Sequence, residues 1–163
     1  MSLIQATNLG VIACPGAEHF TGNVLESLKH IYSKKFQKRA TLLAKKYNCT
    51  KEDIIEHINR TTDLFAPTFN MNGSTQEHRT PHFDIPVHYS RFANGEFKSE
   101  IQCSIRGMDV YIVQDVENHY PVCFNGNDEH YTLSINDHVM LLFVTIDTAF
   151  QAGAERVTVI LPA

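Results

Sequence analysis

The sequence predicts an α/β fold built on a parallel sheet, and three observations carry that prediction. Short apolar runs at residues 11–14, 110–113 and 157–161 read as buried strands, with helical periodicity between them. The last two runs bracket a single helix. A strand–helix–strand unit of that kind crosses over right-handed into parallel strands. A β-hairpin around residues 89–101 interrupts the pattern, marked by Asn94-Gly95 between the extended runs 89–92 and 97–101.

The first strand, Val11-Ile12-Ala13-Cys14, ends in Pro15-Gly16, a turn signal. Val24, Leu25 and Leu28 then recur at helical spacing, with Ile31 and Tyr32 behind them, so a helix follows the strand directly. Leu42, Leu43 and Tyr47 predict a second helix that holds Lys34, Lys35, Lys38, Arg39, Lys45 and Lys46 in water. Thr50 followed by Asp53 resembles a capping box with a shortened acidic member, and Ile54, Ile55 and Ile58 supply the apolar face behind it. Residues 61–90 carry Pro67, Asn72-Gly73, Pro81 and Pro86, the chemistry of a long surface excursion. Phe65, Phe69 and Phe83 suggest that it packs onto something. Residues 105–109 form a second turn, and Val110-Tyr111-Ile112-Val113 is a β-branched and aromatic strand. Residues 115–135 read as a polar loop containing Asn125-Gly126. A helix through Val139, Leu142, Phe143, Ile146, Ala149 and Phe150 follows, with Asp137 as N-cap and Gly153 as stop. The run at 157–161 closes the unit as another buried strand. Ligands of open parallel sheets bind beyond the carboxyl ends of the strands, here Val113-Gln114-Asp115 and Leu161-Pro162-Ala163.

Composition narrows the function classes. A chain of 163 residues suits one compact domain. Its formal charge of −4 disfavours general nucleic-acid or membrane-surface binding, which needs a basic field, although a local basic cluster stays open. Cys14, Cys49, Cys103 and Cys123 form no C-x-x-C pair, so free thiols in a reducing cytosol are expected. No signal peptide and no run near the roughly 20 apolar residues of a membrane span is evident, so a soluble cytoplasmic protein is expected. His78, His82, His88, His119 and His130 match no strong ligand signature. His138, at a helix start near a ligand edge, is the one to watch, and no metal site is assigned.

Phe92-Ala93-Asn94-Gly95-Glu96 offers an aromatic face, an amide and a carboxylate on one tight turn, a set that suits adenine. The plain alternative is a hairpin turn with a buried Phe and two solvated polar side chains. For Arg106 the plain alternative is a surface ion pair.

Residues 91–101 resemble the F-[SA]-[ND]-G-E segment of ribose-phosphate diphosphokinases (PRPP synthetases). Residues 104–114 are similar to that family's V-R-G-x-D-V-[FY]-I-[VI]-Q segment, at the same distance. Residues 135–142 look like its N-D-N-L-M-E-L-L helix start, and residues 152–162 like its A-S-A-x-R-[IV]-T-A-V-I-P strand. Residues 12–28 resemble its opening strand, loop and helix.

This resemblance implies a three-layer domain of the type I phosphoribosyltransferase-like kind. It implies transfer of the β,γ-diphosphoryl group of Mg-ATP to ribose 5-phosphate, making PRPP for nucleotide biosynthesis. It places adenine on Phe92, Asn94 and Glu96, in an ATP site shared with a neighbouring subunit. It places a regulatory phosphate or ADP on Ser104 and Arg106, where a guanidinium fork and a hydroxyl suit phosphate oxygens. It also implies Mg2+, with no ligand in this chain, and a homo-oligomer, hexameric in the family.

The sequence departs from the family in several places. Residues 30–88 and 115–134 are longer than their counterparts, His138 stands where the family has Asn, and Leu141 where it has Glu. The family's motifs after the final Pro are missing: the ATP-gripping run, the metal-binding His, the basic loop and the acidic pentose-phosphate loop. Residues 1–163 are therefore expected to be the N-terminal domain of such an enzyme without its C-terminal catalytic domain, inactive alone and without catalytic residues. The alternative is a non-catalytic associated or nucleotide-sensing regulatory protein.

Overall fold

The computed structural model describes residues 9–62, 83–124 and 130–162, with side chains throughout except at 58–62. The chain divides into two compact units, residues 1–23 with 83–163, and residues 24–82.

In the first unit, β1 (Leu9–Ala13), β4 (Asp109–Val113) and β7 (Arg156–Ile160) form a parallel sheet in the order β1-β4-β7. The register sets Ile12 beside Ile112 and Val113 beside Ile160. Beyond β1 the chain at Phe83–Ile85 continues the ladder. Val11 N donates to Phe83 O at 2.7 Å, and Ile85 N donates to Val11 O at 2.9 Å. Gly10 permits that approach, since a Cβ there would lie 2.2 Å from Ile85 Cδ1.

The hairpin is β2 (Val87–Arg91) and β3 (Phe97–Ile101), antiparallel, with Tyr89 opposite Ser99. It packs on α3 (Ile135–Gln151), where Ser99 Oγ lies 2.7 Å from Thr148 Oγ1. Ile12, Ile105, Val110, Ile112 and Leu141 are wholly excluded from water, and Phe124 and Met108 nearly so, in one continuous core. The fold is thus mixed α/β, with a parallel sheet and the antiparallel hairpin that the sequence predicts.

Four expectations need correction. The helices expected around Val24–Tyr32 and Leu42–Tyr47 are one, α1 (Glu18–Tyr47). No Gly or Pro lies between residues 22 and 47, and Lys, Arg, Gln, Leu and Ala dominate the join, all strong helix formers. The N-cap of α3 is Ser134, not Asp137; Asp137 is the acidic N3 member of a reciprocal capping box. The 115–135 loop contains a two-residue antiparallel pair, β5 (Val122–Cys123) with β6 (His130–Tyr131). Finally, β7 is an edge strand with no fully buried residue, its Val159 36% exposed. An apolar β-branched run identifies a strand but not whether both its faces are covered.

Other expectations hold. Gly153 follows α3 with φ +87, the left-handed conformation that ends helices. In the second unit Thr50 and Asp53 form the capping box at the head of α2 (Lys51–Thr62), Thr50 N donating to the Asp53 carboxylate and Asp53 N to Thr50 Oγ1. The expectations for Phe65, Pro67, Phe69, Asn72-Gly73, His78, Pro81, His82 and Asn125-Gly126 lie outside the described residues. Among the described residues, no helix is long and apolar enough to cross a membrane.

Candidate functional site

The residues singled out by sequence fall at two places, the opposite ends of α3. At 1.5 Å per residue this 17-residue helix is about 25 Å long. Ser99 contacts Val144 O and Thr148 along its length, and the Arg91 guanidinium sits 4.8 Å from the Tyr131 ring just before its cap. The turn at 92–96 therefore lies at the N-terminal end of α3. The second turn lies at the other end, where Gly107 N donates to Gly153 O at 2.9 Å.

The first turn is held by its backbone. Phe92 N donates to Glu96 O and Gly95 N to Phe92 O, both at 2.9 Å, and Glu96 N donates to Asn94 Oδ1 at 3.2 Å. Gly95 has φ +91, so a side chain there would strain the loop. Phe92 is 48% exposed, which removes the reading of a buried turn Phe. Asn94 and Glu96 are also exposed. A ring face, an amide and a carboxylate thus face water from a rigid loop. Below it, Phe97 packs on Phe124 with centroids 5.6 Å apart, and Phe124 meets Tyr131 edge-on at 6.0 Å. This apolar base anchors the hairpin and leaves Phe92 outside it.

The carboxyl edge of β4 carries a buried polar cluster that sequence reading did not assemble. Gln114 and His138 are fully buried. Gln114 Nε2 reaches Asp115 O at 3.0 Å, His138 Nδ1 at 3.1 Å and Pro15 O at 3.4 Å. His138 Nε2 lies 3.1 Å from Asn118 O. A carbonyl only accepts, so these partners assign the ring hydrogen to Nε2 and make Nδ1 the acceptor. Gln114 Oε1 is buried with no hydrogen-bond partner. Reversing the amide would set that oxygen against the Pro15 and Asp115 carbonyls. Gly16, with φ +95, packs so closely on Asn118 that a Cβ would lie 2.6 Å from Nδ2. His138 is thereby a core histidine joining β4, the 115–120 segment and α3. Nothing in the spacing of Gln114, Asn118 and His138 marks the cluster, because the loop between them decides who meets.

Close by, Cys14, Tyr89 and Thr145 form a second buried group. Tyr89 Oη donates to Cys14 Sγ at 3.6 Å, and Thr145 Oγ1 lies 3.4 Å from Tyr89 Oη. Burial, foremost, pushes the Cys14 thiol up to about 11, and it pushes the Tyr89 hydroxyl up as well. Both are structural groups and stay protonated.

At the second turn Met108 N donates to Ile105 O at 3.0 Å, and Gly107 has φ +70, the conformation a type II turn requires at its third residue. Ser104 and Arg106 are exposed. Arg106 has no ion-pair partner among the described residues, so the plain surface ion pair is not what holds it.

For Mg2+ the residues present are a poor fit. No three His, Cys, Asp or Glu side chains among the described residues converge as a metal site. Mg2+ is commonly held by one or two carboxylates together with substrate phosphates. No chemical step is assigned to a metal here.

Residues 77–163 match the family described as the N-terminal domain of ribose phosphate pyrophosphokinase. A ribose-phosphate pyrophosphokinase of Synechococcus elongatus is 36% identical over 100 residues, covering 61% of this chain and 26% of the relative. Ribose-phosphate pyrophosphokinase A of Dictyostelium discoideum is 39% identical over 76 residues, 47% of this chain and 20% of the relative. Ribose-phosphate pyrophosphokinase 5 of Schizosaccharomyces pombe is 36% identical over 76 residues, 47% of this chain and 18% of the relative. The matched region spans about a quarter of the first relative's length or less in each case.

Proposed function

We propose, from the premise that the chain belongs to the family of the N-terminal domain of ribose phosphate pyrophosphokinase, that it serves as the N-terminal part of an enzyme making PRPP. In that reaction the 1-hydroxyl oxygen of ribose 5-phosphate bonds to the β-phosphorus of ATP. The bridging bond to the α-phosphate breaks, AMP leaves, and the hydroxyl proton is lost. Such a transfer depends on positioned cations and donors around the phosphates. We assign none of those groups to this sequence, and we assign Mg2+ to the bound ATP rather than to a site of this chain's making.

What this chain contributes is adenine recognition and a regulatory phosphate contact. The observation that carries the first is the exposed ring of Phe92 on a hydrogen-bonded turn beside Asn94 and Glu96. A purine stacks on the ring, the Asn94 amide donates to a ring nitrogen, and Glu96 accepts from the exocyclic amine. Ser104 and the unpaired Arg106 take phosphate or the phosphates of ADP about one helix length away, a separation that suits an effector site. The reading includes the three-layer phosphoribosyltransferase-like architecture, a cytoplasmic location and a homo-oligomer in which the 92–96 turn serves a neighbouring active site.

Calorimetric titration with ADP tests it on the wild type, Phe92→Ala and Arg106→Ala. Loss of one base–aromatic stack is worth about 1–3 kcal/mol, so Phe92→Ala is expected to bind about fivefold more weakly or worse. Arg106→Ala is expected to lose phosphate-dependent binding. Unchanged affinity in Phe92→Ala would remove the adenine role of the turn.

A further inference from the structure

The C-terminal part of α1, in the second unit, lies outside the family-matched residues 77–163 and has a face of its own. Residues 29–47 hold seven Lys and Arg and no Asp or Glu, in a chain whose total formal charge is −4. The inward face of this stretch is apolar: Ala40 is wholly buried, with Phe36 and Leu43 half-buried. The outward face is a mixture. Ile31 is 49% exposed and Leu42 60%. Eleven residues apart, they lie about 20° from one another around the axis, on one line of the helix. Lys34, Lys38 and Lys45 flank that line on one side, and Lys35, Arg39 and Lys46 on the other, all exposed. Over 19 residues this face runs about 27 Å.

We infer that this face of α1 docks on an anionic phospholipid surface. Charge complementarity requires an anionic partner, since no carboxylate within the stretch offsets its cations. The aliphatic line selects among anionic partners. Ile31 and Leu42 gain by entering the headgroup–acyl boundary, whereas a phosphate-lined nucleic-acid groove offers them nothing. Six of the seven cations are Lys, whose long stems lie along apolar surface while the ammonium rises to the headgroups. A face built to read phosphate by forks would favour Arg. The attachment is peripheral and reversible, and it is independent of the adenine turn.

The full chain is to be sedimented with vesicles of about 30% phosphatidylserine in phosphatidylcholine, and with pure phosphatidylcholine, in about 0.1 M salt. The anionic vesicles are expected to bind at least about tenfold more tightly, with binding falling as salt rises. K34Q/K35Q/K38Q/K45Q/K46Q is expected to abolish the preference. I31S/L42S, which keeps every charge, is expected to weaken binding several-fold, with helicity confirmed by circular dichroism for both variants. Equal or absent binding to the two vesicle types overturns the inference. So does I31S/L42S binding like wild type, or displacement from the vesicles by duplex RNA at equal phosphate concentration, since both would mark a general polyanion face.

Discussion

Cys14 shows how burial turns a reactive residue type into a structural one. Its thiol is wholly buried between β1, Tyr89 and Thr145, and burial holds it protonated up to about pH 11. Cys49, Cys103 and Cys123 are exposed. A native sample treated with a thiol-specific chromophore is expected to label those three rapidly, and Cys14 only after denaturant. Rapid labelling of all four would mean that the sheet–hairpin–helix contact opens readily. The linkage has a definite sign. The folded pKa lies above the ordinary value of 9.0, so the buried thiol's contribution is complete below that pH. It is lost as pH climbs from about 9 towards 11. The residues proposed for recognition are treated in the opposite way. Phe92, Ser104 and Arg106 are exposed on or beside turns closed by backbone hydrogen bonds. That half of the site was legible in the sequence because Asn94-Gly95 and Gly107 advertise their turns. The Gln114–His138 cluster was not, because its partners meet only through the fold of residues 115–120.

At the scale of the element, α3 carries the organisation of the unit. It spans the distance between the two candidate sites, and its first turn is bound to β4 through His138. Its capping box explains why Asp137 resembled an N-cap in the sequence. Asp and Ser are both strong caps, and Ser134 and Asp137 each accept from the other's backbone N–H. Hydrogen bonds from the Ser134 side chain, then its backbone, hold the Asp137 carboxyl below the ordinary carboxylate range. A depressed pKa stabilises the fold above the unfolded value and loses that contribution as pH falls through the folded one. Asp137→Asn is therefore expected to lower Tm at pH 7, by an amount corresponding to about 1 kcal/mol. The gap to wild type should close as pH falls below the ordinary carboxylate range and Asp137 is protonated in both states, which thermal melts at about pH 7 and at acid pH would show. A gap that is constant with pH would assign the loss to packing instead. The same scale shows where periodicity reaches its limit. It located β7 at the right residues but not its exposure, which depends on what neighbours the strand rather than on the strand itself.

The whole molecule has two parts of different character. Residues 24–82 contain ten Lys and Arg against six Asp and Glu, whereas the other unit contains four against twelve. The family-matched blocks belong to the acidic unit, and their order along the chain made its fold legible. Residues 30–76, within the basic unit, carry no such block, and the break between helices expected there is absent from α1. The units also differ in what holds them. The continuous core of Ile12, Val110, Ile112, Leu141 and their neighbours lies wholly in the first unit. In the second, Ala40 is the one fully buried residue among those described. Helices in proteins owe most of their stability to packing of one face, so the described residues of this unit, with little burial, open at lower free energy than those of a closed core. Native-state hydrogen exchange is expected to show amides of residues 29–57 opening at least about 2 kcal/mol below those of β4, and trypsin is expected to cut first between Lys34 and Lys46. Exchange of both regions at one common free energy would mean that the two units unfold as a single cooperative body.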